Sequence, residues 1–209
     1  SLSMSFKGFV VAPFTPFRKN GEIHPELIPA YIKFLKRNKI AGAFINGTTG
    51  EGLSLTEFER NRMLDAWVQD APKGFRIINN VGANSIASAK RLAAYSAMLG
   101  VDDIAMMVPG FFRPKSVDEL VTVCARVAEE APKCGFYYYH IPGITNVNLS
   151  MLAFVEKAVK QIPTFKGLKY STPNFFELHQ LSQLYGKRYD FFFGCDELLS
   201  YGLLAGANG

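Results

Sequence analysis

Short apolar runs alternate with longer helical stretches along this chain, and the alternation constrains the fold more than any other feature. Strands that are almost continuously apolar are covered on both faces, as in a parallel sheet. The intervening stretches space their apolar residues along one helical face, as Leu27, Tyr31 and Leu35 do. Seven runs are predicted to be strands: 8–12, 43–45, 76–81, 103–108, 135–139, 165–169 and 190–194.

Several residues mark where the helices begin and end. Thr56-x-x-Glu59 and Ser116-x-x-Glu119 predict capping boxes, in which each side chain satisfies a backbone N–H of the first turn. Gly100 and Gly186 are predicted to end helices, because glycine enters the left-handed conformation most easily.

Seven successive β–α units predict a parallel sheet with right-handed crossovers. An open doubly wound sheet is the alternative, but it rarely needs seven unbroken units, and the first loop has no Gly-x-Gly-x-x-Gly. A (β/α)8 TIM barrel fits better, although such barrels typically have about 250 residues. We therefore predict one α/β domain over residues 1–209, a barrel truncated before the eighth strand, whose edges would be exposed. Residues 1–3, before Met4, are interpreted as a vector remnant.

Composition excludes several classes of protein. The net charge of +5 is spread thinly, and its densest stretch, residues 33–39, lies near a predicted helix C-terminus, so no nucleic-acid partner is expected. No apolar run approaches the roughly 20 residues of a membrane helix. Cys124, Cys134 and Cys195 form no CxxC pair, which argues against a disulfide framework or a zinc site. A cytoplasmic protein is predicted.

Catalytic groups of such barrels lie at the C-terminal ends of the strands, so the motifs at these ends are the candidates for catalytic residues. The second strand ends in Gly47-Thr48-Thr49-Gly50-Glu51-Gly52, whose hydroxyls and backbone N–H groups could form an anion cradle. The motif lacks the Lys-Ser/Thr pair of a nucleotide loop, so a carboxylate fits better than a triphosphate. A plain glycine-rich turn is the alternative.

Two further strand ends carry reactive side chains. Tyr137 and Tyr139 share one strand face, and Tyr139 would place its hydroxyl at the barrel mouth, whereas Tyr138 fills the core. His140 is either a base or a structural hydrogen-bonding group. Lys169 closes an apolar strand, where burial favours the neutral amine that can form a Schiff base. Alternatively, this lysine snorkels to the rim or pairs with an acid.

The last motif, Gly194-Cys195-Asp196-Glu197, is predicted to open a helix after the seventh strand. Its two acids either cap that helix or bind the hydroxyls of a polyol.

These motifs, in this order, resemble the pyruvate-dependent class I aldolases, the family of dihydrodipicolinate synthase and N-acetylneuraminate lyase. The resemblance covers the chain from Phe6 onward. It implies a lyase that cleaves N-acetylneuraminate (sialic acid) to N-acetylmannosamine and pyruvate, with a covalent imine on Lys169 and neither cofactor nor metal. It further implies a homotetramer with Phe111 and Phe112 near a subunit contact.

The resemblance also assigns roles to individual residues. Tyr139, organised by Thr49 and the substrate carboxylate, would take the proton of the C4 hydroxyl. The carboxylate would be held by Thr48, Thr49 and Gly50. The sugar chain would be contacted by Ser171, Gly194, Asp196 and Glu197.

The chain departs from the family pattern at three places. Ile144 stands where the synthases carry an arginine for a dicarboxylate, which argues against the synthase. Phe111 stands where many members have a proton-relaying tyrosine. The glycine-serine element of the eighth strand is missing, so a polypeptide that ends at Gly209 is expected to have little activity. Two alternatives stay open: another keto-acid aldolase or dehydratase of this family, and a truncated, non-catalytic sugar-acid binder.

Overall fold

Seven parallel strands and one antiparallel strand form a closed barrel in the computed structural model, which describes residues 9–47, 52–108, 112–193 and 197–200. Each of the first six strands pairs in parallel with the next one along the chain. The predicted (β/α)8 barrel without its eighth β–α unit is confirmed. The strands are β1 (Phe9–Val11), β2 (Gly42–Ile45), β3 (Arg76–Asn80), β4 (Asp103–Met106), β5 (Gly135–His140), β6 (Phe165–Tyr170), β7 (Asp190–Phe193) and β8 (Glu197–Ser200).

Helices follow the strands and cover the outside of the barrel. Within the described part of the chain, none is both long enough and apolar enough to cross a membrane. The helices are α1 (Ile28–Arg37), α2 (Glu57–Asp70), α3 (Ile86–Leu99), α4 (Val117–Ala128), α5 (Pro142–Thr145), α6 (Met151–Gln161) and α7 (Phe175–Tyr185), with short 3-10 helices at Pro25–Leu27 and Gly52–Ser54.

The predicted helix ends are partly confirmed. Thr56 and Glu59 form the full capping box of α2. Ser116 caps α4 by accepting from the N–H of Glu119, but the Glu119 carboxylate accepts from the N–H of Lys115 instead of Ser116. Gly100 is left-handed, with φ 74°. The prediction for Gly186 was wrong in conformation, because it ends α7 with a right-handed φ of −65°.

Residues 197–200, which follow β7, form a strand rather than the predicted helix. β8 runs antiparallel to both β7 and β1, where Leu199 is the register partner of Phe193 and of Phe9. Backbone N–H and C=O groups at a sheet edge need partners, and β8 supplies them to the edges of β1 and β7 that no parallel strand covers. The strand edges that the sequence predicted to be exposed are therefore paired with β8.

The apolar core has two parts, separated by the barrel wall. The larger part lies between the strands and the helices and includes Tyr138. The alternation predicted for β5 is confirmed, because Tyr137 and Tyr139 point into the barrel on the opposite face from Tyr138. The smaller part fills the barrel interior and consists of Val10, Phe44, Ile78, Ala105, Met107, Tyr137, Tyr139, Ile141 and Phe192.

Candidate active site

Lys169 and Tyr139 lie side by side in the barrel wall. They are register partners on β6 and β5, and each is the fifth of six residues in its strand. Each is only 2% exposed. Both residues are therefore near the C-terminal ends of their strands, the end at which barrels of this type carry their chemistry.

Two aromatic rings contact the amine of Lys169. Its Nζ lies 3.8 Å from the centroid of the Phe44 ring and 4.1 Å from that of the Tyr139 ring. The two rings meet edge to face, with centroids 5.4 Å apart. Ring faces attract an ammonium group, whereas burial disfavours it. The amine thus lies in a buried aromatic corner.

Charged side chains cluster in the N-terminal half of the barrel interior and form what is called the floor. The Asp103 carboxylate is fully buried and accepts from Arg76 Nε at 2.6 Å, and Lys166 Nζ lies 3.3 Å from its other oxygen. Tyr137 donates to Asp190 Oδ2 at 2.9 Å. Burial first, and then the neighbouring carboxylates, raise the pKa of Tyr137 well above its ordinary value. The Tyr137 phenol therefore stays protonated and serves as a donor.

A network of buried amides anchors the start of the segment 48–51. Asn46 has a left-handed φ of 58°, and its Nδ2 donates to Asn79 Oδ1 at 2.9 Å. The carbonyl of Asn46 accepts from Asn80 Nδ2 at 3.0 Å. The Gly52 N–H donates to the Gly47 carbonyl at 2.9 Å, so the two ends of the segment are tied together.

Arg60 of α2 also belongs to this network. Its side chain is buried and donates to the carbonyls of Gly82, at 2.7 Å, and Asn80. Its own carbonyl accepts from Asn46 Nδ2 at 3.2 Å. Burial lowers the pKa of Arg60 to about 10. Arg60 thus connects the ends of β2 and β3 through backbone carbonyls rather than through an ion pair.

His140 does not belong to this site. Its ring lies on the outer side of β5, with centroids 5.1 Å from Tyr170 and 6.4 Å from Tyr138. Neither ring nitrogen has a hydrogen-bond partner among the described residues. The position of His140 outside the barrel interior does not suit a base, and the hydrogen bonds expected of a structural histidine are not found among the described residues.

The overall architecture has counterparts in known proteins. Residues 5–209 match the Dihydrodipicolinate synthetase family. The chain belongs to this family. It is 38% identical to N-acetylneuraminate lyase A of Xenopus laevis over 205 residues, which are 97% of this chain and 67% of the relative. It is also 38% identical to the Gallus gallus N-acetylneuraminate lyase, over 97% of this chain and 67% of the relative.

Solved structures of the family have the same fold. The N-acetylneuraminate lyase of Proteus mirabilis superposes with a TM-score of 0.88 at 33% identity, over 97% of this chain and 67% of that one. The chain thus spans about two thirds of the length of the family members that it matches. Its relatives with these names are lyases, and the chain shares their enzyme class.

The structure places some of the predicted site residues of this family member and not others. Lys169 and Tyr139 come together as described above. Ser171 follows β6, is half-buried, and donates its N–H to the carbonyl of His140 at 2.9 Å. Glu197 begins β8, of which only the backbone is described. The remaining predicted residues lie outside the described residues: Thr48, Thr49, Gly50, Gly194 and Asp196.

Sequence reasoning missed Phe44, Arg60 and the three asparagines of the network. Phe44 could have been found, since it lies one residue from the end of a buried strand that runs into the Gly47 motif. The asparagines lie at the ends of apolar strands, and no sequence pattern indicated that they form a network. Arg60 had no local signal, because its partners lie 20 and 22 residues away.

Proposed function

We propose that this chain carries the active site of a Schiff-base aldolase that cleaves N-acetylneuraminate to N-acetylmannosamine and pyruvate. One observation carries the proposal: the buried amine of Lys169 lies against Tyr139 at the C-terminal end of the barrel. The names of the relatives support the choice of substrate. The lyase activity itself is proposed for the whole protein.

The first half of the reaction builds an electron sink on Lys169. Its Nζ attacks the C2 carbonyl carbon of the open-chain keto acid, and loss of one water gives a protonated imine. The apolar surroundings favour the neutral amine that makes this attack. The covalent imine does the work of a cofactor, so the proposal includes neither a cofactor nor a metal.

The second half breaks the C3–C4 bond. Tyr139 relays the proton of the C4 hydroxyl, and the bonding electron pair moves into the iminium to give an enamine while the aldehyde leaves. The enamine takes a proton at C3. Water then hydrolyses the imine, which restores the amine of Lys169 and releases pyruvate, and the water lost at the start is balanced.

Different residues would bind the two ends of the substrate. The carboxylate would lie on Thr48, Thr49 and Gly50, at the loop whose ends the Asn46 network ties together. The polyol chain would contact Ser171 and three residues that follow β7: Gly194, Asp196 and Glu197.

Ile144 separates this proposal from the synthase reaction. It lies in α5 after β5, is 54% exposed, and cannot pair with a second carboxylate. N-acetylneuraminate has a single carboxylate, so an apolar residue there is compatible with the lyase. We further propose a cytoplasmic homotetramer, which rests on the resemblance to the family.

Product analysis tests the proposal. The protein is incubated with N-acetylneuraminate, and pyruvate and N-acetylmannosamine are quantified by chromatography. We expect both products in equal amounts, their loss in Lys169→Met, and their retention in Lys187→Met, which changes an exposed lysine.

Other outcomes would redirect the assignment. Pyruvate from a different sugar acid, with none from N-acetylneuraminate, would favour another keto-acid aldolase of the family. Saturable binding of N-acetylneuraminate without an adduct on Lys169 would favour a non-catalytic binder.

A further inference from the structure

We propose that Phe44 is a positioning residue that holds the imine-forming amine of Lys169 and the ring of Tyr139. The inference deepens the proposed lyase function and rests on it, because it concerns the group that would attack the keto acid. Phe44 is 1% exposed and contacts both residues, through its ring face for the amine and edge to face for the tyrosine. Phe44, Lys169 and Tyr139 therefore each contact the other two.

The backbone explains why the ring lies there. All four residues of β2 are buried, and Phe44 is on the face that points into the barrel. A Cβ at Gly47 would lie 2.6 Å from Cε1 of the Phe44 ring and 2.9 Å from its Cδ1. Glycine at position 47 therefore leaves room for the ring.

The ring restrains the amine without competing for its lone pair. A lysine side chain has a flexible four-carbon stem, and holding it in one conformation lowers the entropy that is lost when the reacting atoms meet. Phenylalanine has no hydrogen-bonding atom, so its ring does not occupy the lone pair with which the nitrogen attacks carbon. Its face also favours the ammonium form of the amine, in opposition to burial.

Other ionisable groups also lie in the described barrel interior. These groups come from strands β3 to β7, and they stay unchanged when Phe44 is replaced: Arg76, Asp103, Tyr137, Tyr139, Lys166 and Asp190. A difference between Phe44 variants therefore reports the ring alone.

Nuclear magnetic resonance of protein labelled with 13C at lysine Cε tests the inference without requiring catalysis. The Lys169 signal is assigned by its absence from Lys169→Met. In the parent protein we expect the Lys169 ε-protons to be shifted upfield by the ring currents of the two aromatic faces. In Phe44→Leu this shift decreases, and the protonation midpoint of Lys169 moves to lower pH by about one unit, because the ring no longer stabilises the ammonium form.

Two further variants separate the ring face from packing. Phe44→Tyr keeps the face and is expected to behave as the parent. Phe154→Leu removes an equally buried phenylalanine that packs on Tyr138 outside the barrel, and it should leave the Lys169 signal unchanged. Phe44→Met keeps apolar bulk without a ring, and it replaces the leucine variant if that variant does not fold.

The outcomes distinguish the inference from the function on which it rests. A Lys169 signal and midpoint in Phe44→Leu equal to those in Phe154→Leu would overturn the positioning role. Trapping with pyruvate and borohydride is read separately on the same proteins. A parent without a trapped adduct but with the ring-current shift would remove the lyase assignment and leave Phe44 as the residue that holds the amine.

Discussion

Burial of His140 makes a measurable prediction about stability in acid. The imidazole is 1% exposed, and neither of its nitrogens has a hydrogen-bond partner among the described residues. Burial lowers the pKa of His140 from 6.5 to about 4. Between these two values the unfolded chain binds a proton at this residue and the folded chain does not, so stability must fall as the pH falls through this window.

The size of the effect follows from the gap between the two pKa values. A gap of about 2.5 units corresponds to about 3 kcal/mol of unfolding free energy, which is present above pH 6.5 and lost by pH 4. About 2 kcal/mol of it is lost by pH 5. Replacement of His140 by leucine removes this contribution to the pH dependence, while the carboxylates contribute as before.

Urea unfolding at pH 7.5 and pH 5 measures the difference. We expect the parent to lose about 2 kcal/mol more than His140→Leu between these two pH values. His179→Leu, which changes an exposed histidine of α7, is the matched control. Equal slopes in the parent and in His140→Leu would refute the reasoning, because they would mean that the folded protein protonates His140 as readily as the unfolded chain.

Three further predictions test the floor and the network. Asp103→Asn leaves the guanidinium of Arg76 without its buried partner, and we expect a loss of about 2–3 kcal/mol in urea unfolding; an unchanged midpoint would contradict this. Arg60→Met removes the buried guanidinium that donates to two carbonyls and should also cost about 2–3 kcal/mol, whereas exposed Arg62→Met should cost almost nothing. Gly52→Ala places a Cβ 1.9 Å from the Asn46 carbonyl and should lower the melting temperature; Gly143→Ala, whose Cβ meets open space, is its control, and equal temperatures for the two would count against the packing argument.

Much of the barrel was predictable because its signals are local. Continuous apolar runs identify strands that are covered on both faces, and the alternation along β5 placed Tyr139 inside and Tyr138 outside. The lysine and the tyrosine could be paired from sequence because catalytic groups gather at one end of parallel strands.

The rest depended on contacts between distant parts of the chain. Arg60 donates to carbonyls of another β–α unit, and Asp103 pairs with cations from two other strands. No local sequence pattern therefore predicts either arrangement. The antiparallel β8 pairs with both β1 and β7, which are far from each other along the chain, so its pairing was not visible in local sequence. The aromatic corner around the amine needed the relative positions of three strands.

The central claim is that the amine of Lys169 forms an imine with a keto acid. Mass spectrometry after treatment with pyruvate and sodium borohydride, followed by peptide mapping, tests it most directly. The account predicts a reduced pyruvate adduct confined to the peptide that contains Lys169. A folded protein with no adduct, or with adducts spread over exposed lysines, would contradict it.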